Sequence, residues 1–188
     1  MKKVLISLLA LVIAGTASAA ARLIVSDQDF NGDIDRVYSV QITADRVDVG
    51  RPGAFYIVGS LYGGRRYVYL GATEGWRVYQ GGMGQATEMF SAIPAGGRVY
   101  NPLTGAVGGR AREKDICARL GNGQTIHLYA GIGALEPDKE EMVQTWHKEK
   151  NPLIDPDHIR NVYIQTDLVR NKKYWYLGSI SCERFENG

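Results

Sequence analysis

Paired and closely spaced glycines recur along the chain and divide it into short runs rich in β-branched and aromatic residues. Glycine adopts positive φ in tight turns without steric cost, because it has no Cβ. Turn signals between short apolar runs are typical of strands in sandwiches and barrels. The sequence therefore predicts a mainly β fold, an antiparallel β-sandwich of the jelly-roll or Ig-like type. The glycine clusters are Gly63-Gly64, Gly81-Gly82, Gly96-Gly97, Gly108-Gly109, Gly121-x-Gly123 and Gly131-x-Gly133.

Three hairpins are predicted from β-prone runs that flank turn residues. The first begins with residues 54–61, which are nearly all apolar, as expected of a strand covered on both faces. Residues 38–44 alternate apolar with small polar side chains, which predicts a further strand with one buried face. The predicted pairs are residues 54–61 with 66–70, 116–120 with 125–130, and 161–168 with 173–181.

One short helix is predicted after Pro137, which suits a first helical turn. Acidic residues follow this proline, and Lys148 and Lys150 lie at the far end, an order that favours the helix dipole. Residues 81–112 are expected to run as extended loops, because they contain two prolines and many glycines.

The N-terminus has the organisation of a cleavable export signal. Lys2-Lys3 precede an apolar run at residues 4–14, and Ala17-Ser18-Ala19 provides the A-x-A pattern for cleavage. The apolar run is shorter than the roughly 20 residues of a membrane span. We expect a signal peptide at residues 1–19, a single β-sandwich domain at residues 20–188, a periplasmic or secreted location and no transmembrane segment after cleavage. The alternative is an uncleaved anchor helix.

Cleavage changes the charge balance of the chain. The full sequence has 22 basic and 20 acidic residues, and Lys2 and Lys3 leave with the signal. The mature chain is then near neutral. Nucleic-acid binding depends on clustered Lys and Arg, so the sequence argues against a nucleic-acid partner.

The chain has two cysteines, Cys117 and Cys182, and both lie after the signal. An oxidising compartment favours their pairing. A disulfide between them would pin the C-terminal strand to the body of the domain, with a stabilisation of about 4 kcal/mol from loop entropy. Two alternatives stay open: a pair of buried thiols, or a reactive cysteine acting with His127.

A short acidic segment near the mature N-terminus matches part of a calcium-binding loop. Oxygen-bearing residues alternate around Gly32 at the spacing that supplies hard ligands to calcium. Tyr38 stands where such a loop has a bidentate Glu, and too few residues precede the segment for an entering helix. The alternative interpretation is an Asp/Asn/Gly turn between two short strands. The candidate ligands are Asp27, Asp29, Asn31, Asp33 and Asp35.

Aromatic residues are the other candidates for a binding site. A stacking surface for sugars or a partner protein is one interpretation of these residues, and hydrophobic core is the other. In the run Tyr174-Trp175-Tyr176, strand alternation places Trp175 on the face opposite the two tyrosines. The ligand-binding candidates are Trp76, Tyr79 and Trp175, and the wider aromatic set adds Trp146, Tyr174 and Tyr176.

The order of glycines and aromatics over residues 48–82 resembles a β-sandwich module that recurs in secreted and surface proteins of proteobacteria, some of them adhesin-like or pilus-associated. The resemblance covers roughly half of the mature chain and implies a binding or assembly role at the cell surface or in the periplasm. It implies no catalytic residues. The matching segments are Asp48-Val49-Gly50, residues 53–59, Tyr67-x-Tyr69, Gly75-Trp76-x-x-Tyr79-x-Gly81-Gly82 and residues 126–133.

The sequence contains no Gly-x-Ser-x-Gly elbow, no phosphate loop and no His-Glu-x-x-His motif. We therefore expect an exported non-enzymatic binding or assembly protein, linked to cell adhesion or to surface appendages such as pili, with an envelope protein or a glycan as partner. The alternatives are a carbohydrate-binding module and an enzyme that acts on envelope polymers. Calcium is the one cofactor that the sequence suggests.

Overall fold

The structure is a computed structural model that describes residues 18–61, 66–71, 75–79 and 85–182. Residues 1–17 lie outside this part, so the predicted signal peptide stays a prediction. The strands are β1 (Ala20–Phe30), β2 (Asp33–Thr43), β3 (Gly53–Leu61), β4 (Arg66–Gly71), β5 (Gly75–Val78), β6 (Glu88–Phe90), β7 (Arg98–Tyr100), β8 (Ala111–Arg112), β9 (Thr125–Ala134) and β10 (Tyr174–Ser181). The helices are α1 (Glu113–Leu120), α2 (Pro137–Glu149) and α3 (Pro156–Arg170).

The first sheet is built on β2. β1 pairs with β2 along its whole length, and β7 and β8 pair with the other edge of β2. The β1–β2 turn is Asn31-Gly32, where both residues have positive φ, 59° and 89°, as a two-residue hairpin turn requires. The predicted strand at residues 38–44 lies within β2 and the residue that follows it, and Val40 and Ile42 are fully buried.

The second sheet has the strand order β10-β9-β3-β4-β5, and β6 pairs with a free stretch of β3. All its described pairings are antiparallel. β3 is its central strand and is buried along most of its length. Both the doubly covered strand and the β3–β4 hairpin predicted from the sequence are therefore confirmed.

One apolar core joins the two sheets. It contains Val40 and Ile42 from β2 together with Phe55 and Ile57 from β3. Burial of such side chains stabilises a fold by roughly 1.5–3 kcal/mol each. The chain is thus mainly β, with two antiparallel sheets, as the sequence predicted.

The prediction of one short helix was wrong, because the described residues form three. The predicted helix is present as α2, but residues 116–120, predicted as a strand, lie in α1, and residues 161–168, also predicted as a strand, lie in α3. In α3 the Asp155 side chain accepts a hydrogen bond from the His158 N–H, and Pro156 occupies the first turn. These start signals and the burial of residues on one helical face outweigh the β propensity of the Asn161-Val162-Tyr163-Ile164 run.

Two of the predicted hairpins consequently do not form. The strands meant for them, β9 and β10, pair with each other instead, from Tyr174 opposite Gly131 to Ser181 opposite Thr125. The segment predicted as extended loops contributes β6, β7 and β8, while residues 81–84 lie outside the described part.

Cys117 in α1 and Cys182 after β10 form a disulfide that closes a separation of 65 residues. Both cysteines are buried, and the bridge ties the C-terminal strand to α1, as predicted. The interpretations as buried thiols or as a reactive cysteine were therefore wrong. None of the described helices is both long enough and apolar enough to cross a membrane.

α3 packs directly on β9 at two glycines. A Cβ on Gly131 would lie 2.7 Å from Leu168 Cδ1, and a Cβ on Gly133 would collide with the backbone oxygen of Ile164. The Gly-x-Gly pattern in β9 therefore permits an approach of the helix backbone that any side chain would block. This close approach fixes the position of α3 over one end of the second sheet.

We predict that Gly133→Ala destabilises the protein by about 1–3 kcal/mol, the usual cost of overpacking, because the new methyl group must displace α3. Urea unfolding followed by far-ultraviolet circular dichroism measures the change. Gly96→Ala is the matched control, since a Cβ there meets nothing within 4 Å. Equal stability of the two variants would contradict the tight packing of α3 on β9.

Candidate functional site

Side chains that point away from the core on the second sheet form a surface dominated by tyrosine. Because successive residues of a strand point to opposite faces, directly paired residues on neighbouring strands share a face. The register places one row of such side chains across five strands. From β10 to β5 this row is Tyr176, Tyr129, Val58, Tyr69 and Arg77.

A second row lies beside the first on the same face. Ser179, His127, Ser60 and Tyr67 are paired in that order from β10 to β4. Tyr79 continues the row, since its backbone N–H donates to the carbonyl oxygen of Tyr67 at 2.9 Å. We call these two rows, together with Tyr174 at the start of β10, the tyrosine face.

An irregularity in β10 keeps both rows on one face. The register shifts between Tyr176 and Gly178, which leaves Leu177 as an extra residue. Gly178 has a φ of 127°, a backbone conformation that residues with a side chain rarely adopt. Tyr176 and Ser179 are three residues apart and would point to opposite faces of a regular strand, so this bulge aligns them.

The tyrosines of this face are accessible, and two of them contact each other. Tyr67, Tyr79, Tyr174 and Tyr176 are 48%, 42%, 53% and 57% exposed. The Tyr176 ring centroid lies 5.2 Å from that of Tyr129. Aromatic pairs at this distance stabilise each other beyond their buried area. These two rings thus hold each other in place.

The chemistry of the tyrosine face is aromatic, hydroxyl-rich and nearly uncharged. Tyr and Ser hydroxyls each donate and accept hydrogen bonds. His127 Nδ1 lies 3.2 Å from the Tyr176 hydroxyl, within hydrogen-bonding distance. The residues of the two rows include one cation, Arg77, and no carboxylate.

α3 bounds the tyrosine face at one end. Tyr56 lies on the same side of β3 and is buried beneath the helix, with Ile164 in the same apolar cluster. Burial raises the pKa of Tyr56 to about 12, against the opposing effect of a hydrogen bond with Gln165. Gln165 also lines an open groove of about 380 Å³ along α3, whose other lining residues include Val162 and Val169.

A buried cluster of charged residues holds α3 and β10 in place beside this face. Lys173 Nζ lies 2.7 Å from Asp48 Oδ2 and 2.9 Å from Asp167 Oδ2. Asp48 is fully buried, and its Oδ1 lies 3.0 Å from the Arg51 guanidinium. The cluster joins the segment before β3, the last turn of α3 and the residue that precedes β10.

Asp167 has every carboxylate oxygen engaged. Its Oδ2 accepts from the Ala134 N–H at 2.8 Å as well as from Lys173, and its Oδ1 accepts from the Asn171 amide at 2.6 Å. A cavity of about 130 Å³ opens next to it, between the start of α2 and the outer side of α3. Because donors already occupy both oxygens of this carboxylate, it does not suit the role of a general base.

The structure divides the three aromatic residues singled out from the sequence. Trp175 is paired with Ala130 and packs on the core, and Tyr174 and Tyr176 point outward, as alternation predicted. Trp76 also packs on the core, and its indole N–H donates to the Pro102 carbonyl at 2.7 Å. Of the three residues, Tyr79 alone lies on the tyrosine face.

Three tyrosines of the face were not among the candidates chosen from the sequence: Tyr67, Tyr69 and Tyr129. The Tyr67-x-Tyr69 spacing is itself a signal, since residues two apart on a strand share a face. Their alignment with the tyrosines of β10 depends on the β9–β10 pairing. That pairing was missed because both strands were assigned to other partners.

The acidic segment forms the β1–β2 hairpin, which corresponds to the turn interpretation. Asp27 and Asp29 project from one face, whereas Asp33 and Asp35 project from the other. Asp29 Oδ1 accepts from the Gly32 N–H at 2.6 Å, and Lys114 Nζ lies 3.6 Å from Asp33.

The hairpin therefore does not bring the five candidate ligands together, with Asn31 in the turn itself. Over the residues that the structure describes, no group of three or more His, Cys, Asp or Glu side chains is placed to hold a metal ion. Calcium binding stays a prediction, and it would require the hairpin to rearrange.

Comparisons of the chain with protein-family models, curated proteins and solved structures found no match. The function is therefore inferred from the geometry of the chain itself. The tyrosine face departs from an ordinary solvated strand surface, which is rich in charged side chains.

We predict that Lys173→Ala destabilises the protein by about 3 kcal/mol, because it leaves Asp48 and Asp167 without their shared cation. Urea unfolding measures the loss. Lys148→Ala, on the exposed surface of α2, is the matched control and is expected to change stability by no more than about 0.5 kcal/mol. A Lys173→Ala protein as stable as this control would contradict the structural role of the cluster.

Proposed function

We propose that this chain is an exported, non-enzymatic binding or assembly protein of the cell envelope, periplasmic or secreted, and that the tyrosine face is its binding surface. The partner is a component of the envelope or of a surface appendage such as a pilus. The observation that carries the proposal is the tyrosine face itself: its rows cross five strands, its tyrosines come from β10, β9, β4 and the residue after β5, and four of them are 42–57% exposed.

Two features support export. The N-terminal sequence has the order of a signal peptide, and the disulfide between Cys117 and Cys182 suits an oxidising compartment. The shared core of the two sheets supports a β-sandwich, the architecture of the adhesin-like and pilus-associated modules that the sequence resembles.

Binding is a better match to the site than catalysis. His127 lies on an open strand surface beside Tyr176, whereas an acid–base residue needs a position that brings it to a reacting atom and excludes water. The buried carboxylates Asp48 and Asp167 are both committed to Lys173. These buried charged groups thus stabilise the fold.

Carbohydrate binding is the second candidate function. It is favoured by the combination of exposed aromatic rings with Tyr and Ser hydroxyls and the lack of carboxylates in the two rows. Such a surface offers stacking and neutral hydrogen bonds in the same place.

A capture experiment from intact envelopes tests the proposal. We expect the immobilised mature protein to retain envelope components that a Tyr174→Ser/Tyr176→Ser variant loses, because both rings lie on the binding surface and are more than half exposed. The control is Val107→Ser/Leu153→Ser, which changes two exposed apolar residues elsewhere. Both sets of retained components are compared by mass spectrometry and by glycan analysis.

The proposal is contradicted if the tyrosine variant retains the same components as the unmodified protein and the control. It is also contradicted if no component is retained and the protein turns over an envelope polymer. Matched thermal unfolding of all three proteins ensures that a loss of binding is not a loss of fold.

A further inference from the structure

We infer that the ligand of the tyrosine face is an extended, neutral glycan chain that lies across the strands. This inference rests on the proposed function, since it names the ligand class of the same surface. Three observations lead to it: the shape of the face, the chemistry of its side chains, and its charge.

The shape of the face suits a chain. Neighbouring strands are about 4.8 Å apart, so a row that crosses five strands extends about 19 Å. The row is open at the surface, whereas a small molecule is usually held in a cavity that buries most of it. An open platform of this length accepts internal segments of a polymer and does not require a chain end.

The side chains match the chemistry of sugars. A pyranose ring presents C–H groups on its faces and hydroxyls around its edge. Tyr67, Tyr69 and Tyr176 offer apolar ring faces for the C–H groups, and their phenolic hydroxyls donate and accept hydrogen bonds beside them. Ser179 in the second row adds a further hydroxyl at the edge of the sheet.

The charge of the face selects a neutral ligand. A nucleic acid or a strongly anionic polysaccharide requires several clustered cations, and Arg77 is the one cation in the two rows. The centres of protein–protein interfaces combine Tyr and Arg with Trp, Phe and Met. Val58 is the one aliphatic residue of the rows, and it is partly buried between Tyr129 and Tyr69. The surface therefore offers little aliphatic area to a protein partner, so a glycan matches it better than a protein.

Affinity gel electrophoresis tests the inference, with hydroxyethylcellulose, dextran, galactomannan and the neutral glycan fraction of the envelope as probes and polygalacturonate as the anionic comparison. We expect at least one neutral polymer to slow the mature protein and polygalacturonate to have no effect. Tyr176→Ala and Tyr67→Ala should weaken this binding about tenfold each, through loss of a stacking ring.

Two controls separate stacking from loss of fold. Tyr176→Phe keeps the ring and is expected to bind within about threefold of the unmodified protein. Leu153 is 92% exposed and lies between α2 and α3, outside the strands that form the face. The Leu153→Ala variant should therefore bind as the unmodified protein does.

Each remaining outcome overturns the inference. Retardation by polygalacturonate alone would show an anionic ligand. If no probe slows the protein but capture from envelopes still depends on Tyr174 and Tyr176, the partner is a protein, and the proposed function survives. If capture also fails to depend on them, the proposed function fails as well.

Discussion

The ion cluster of Lys173 with Asp48 and Asp167 is the interaction on which the arrangement of the second sheet depends. It joins a segment before β3 to the end of α3 and to the residue before β10, which are far apart in sequence. Asp48 is fully buried, so its charge is tolerated only while Lys173 and Arg51 remain beside it. The cluster thereby sets where α3 ends and where β10 begins, and β10 carries Tyr174 and Tyr176 to the edge of the tyrosine face.

The tyrosine face follows from this arrangement and from the glycines of β9. Gly131 and Gly133 let α3 approach one end of the sheet closely, which covers that end and leaves the other open. The bulge at Gly178 then aligns the outward residues of β10 with those of β9. Apolar ring surface is unfavourable in water. Ordered rows of exposed rings therefore favour a ligand that covers them.

Local signals in the sequence predicted much of the fold but little of the site. The β3–β4 hairpin, α2 and the disulfide could be predicted, because each depends on a local pattern or on compartment chemistry. α3 was missed, since its run of Val, Tyr and Ile favours a strand by propensity, while the packing of Ile164 on Gly133 decides for a helix. The tyrosine face depends on the register between β9 and β10, which 39 intervening residues separate in the sequence. No local pattern reports such a pairing.

Site-specific photocrosslinking in bacterial cells that express the full-length chain tests the central claim most directly. A photoreactive amino acid is placed at Tyr176 or Tyr67 on the tyrosine face, and at Ile34 in the β1–β2 hairpin or Leu153 beside α3 for comparison. Covalent adducts with an envelope component are expected from the two positions on the face, and none from the other two. Adducts from Ile34 or Leu153, with none from Tyr176 and Tyr67, would contradict it and would move the binding surface elsewhere on the molecule.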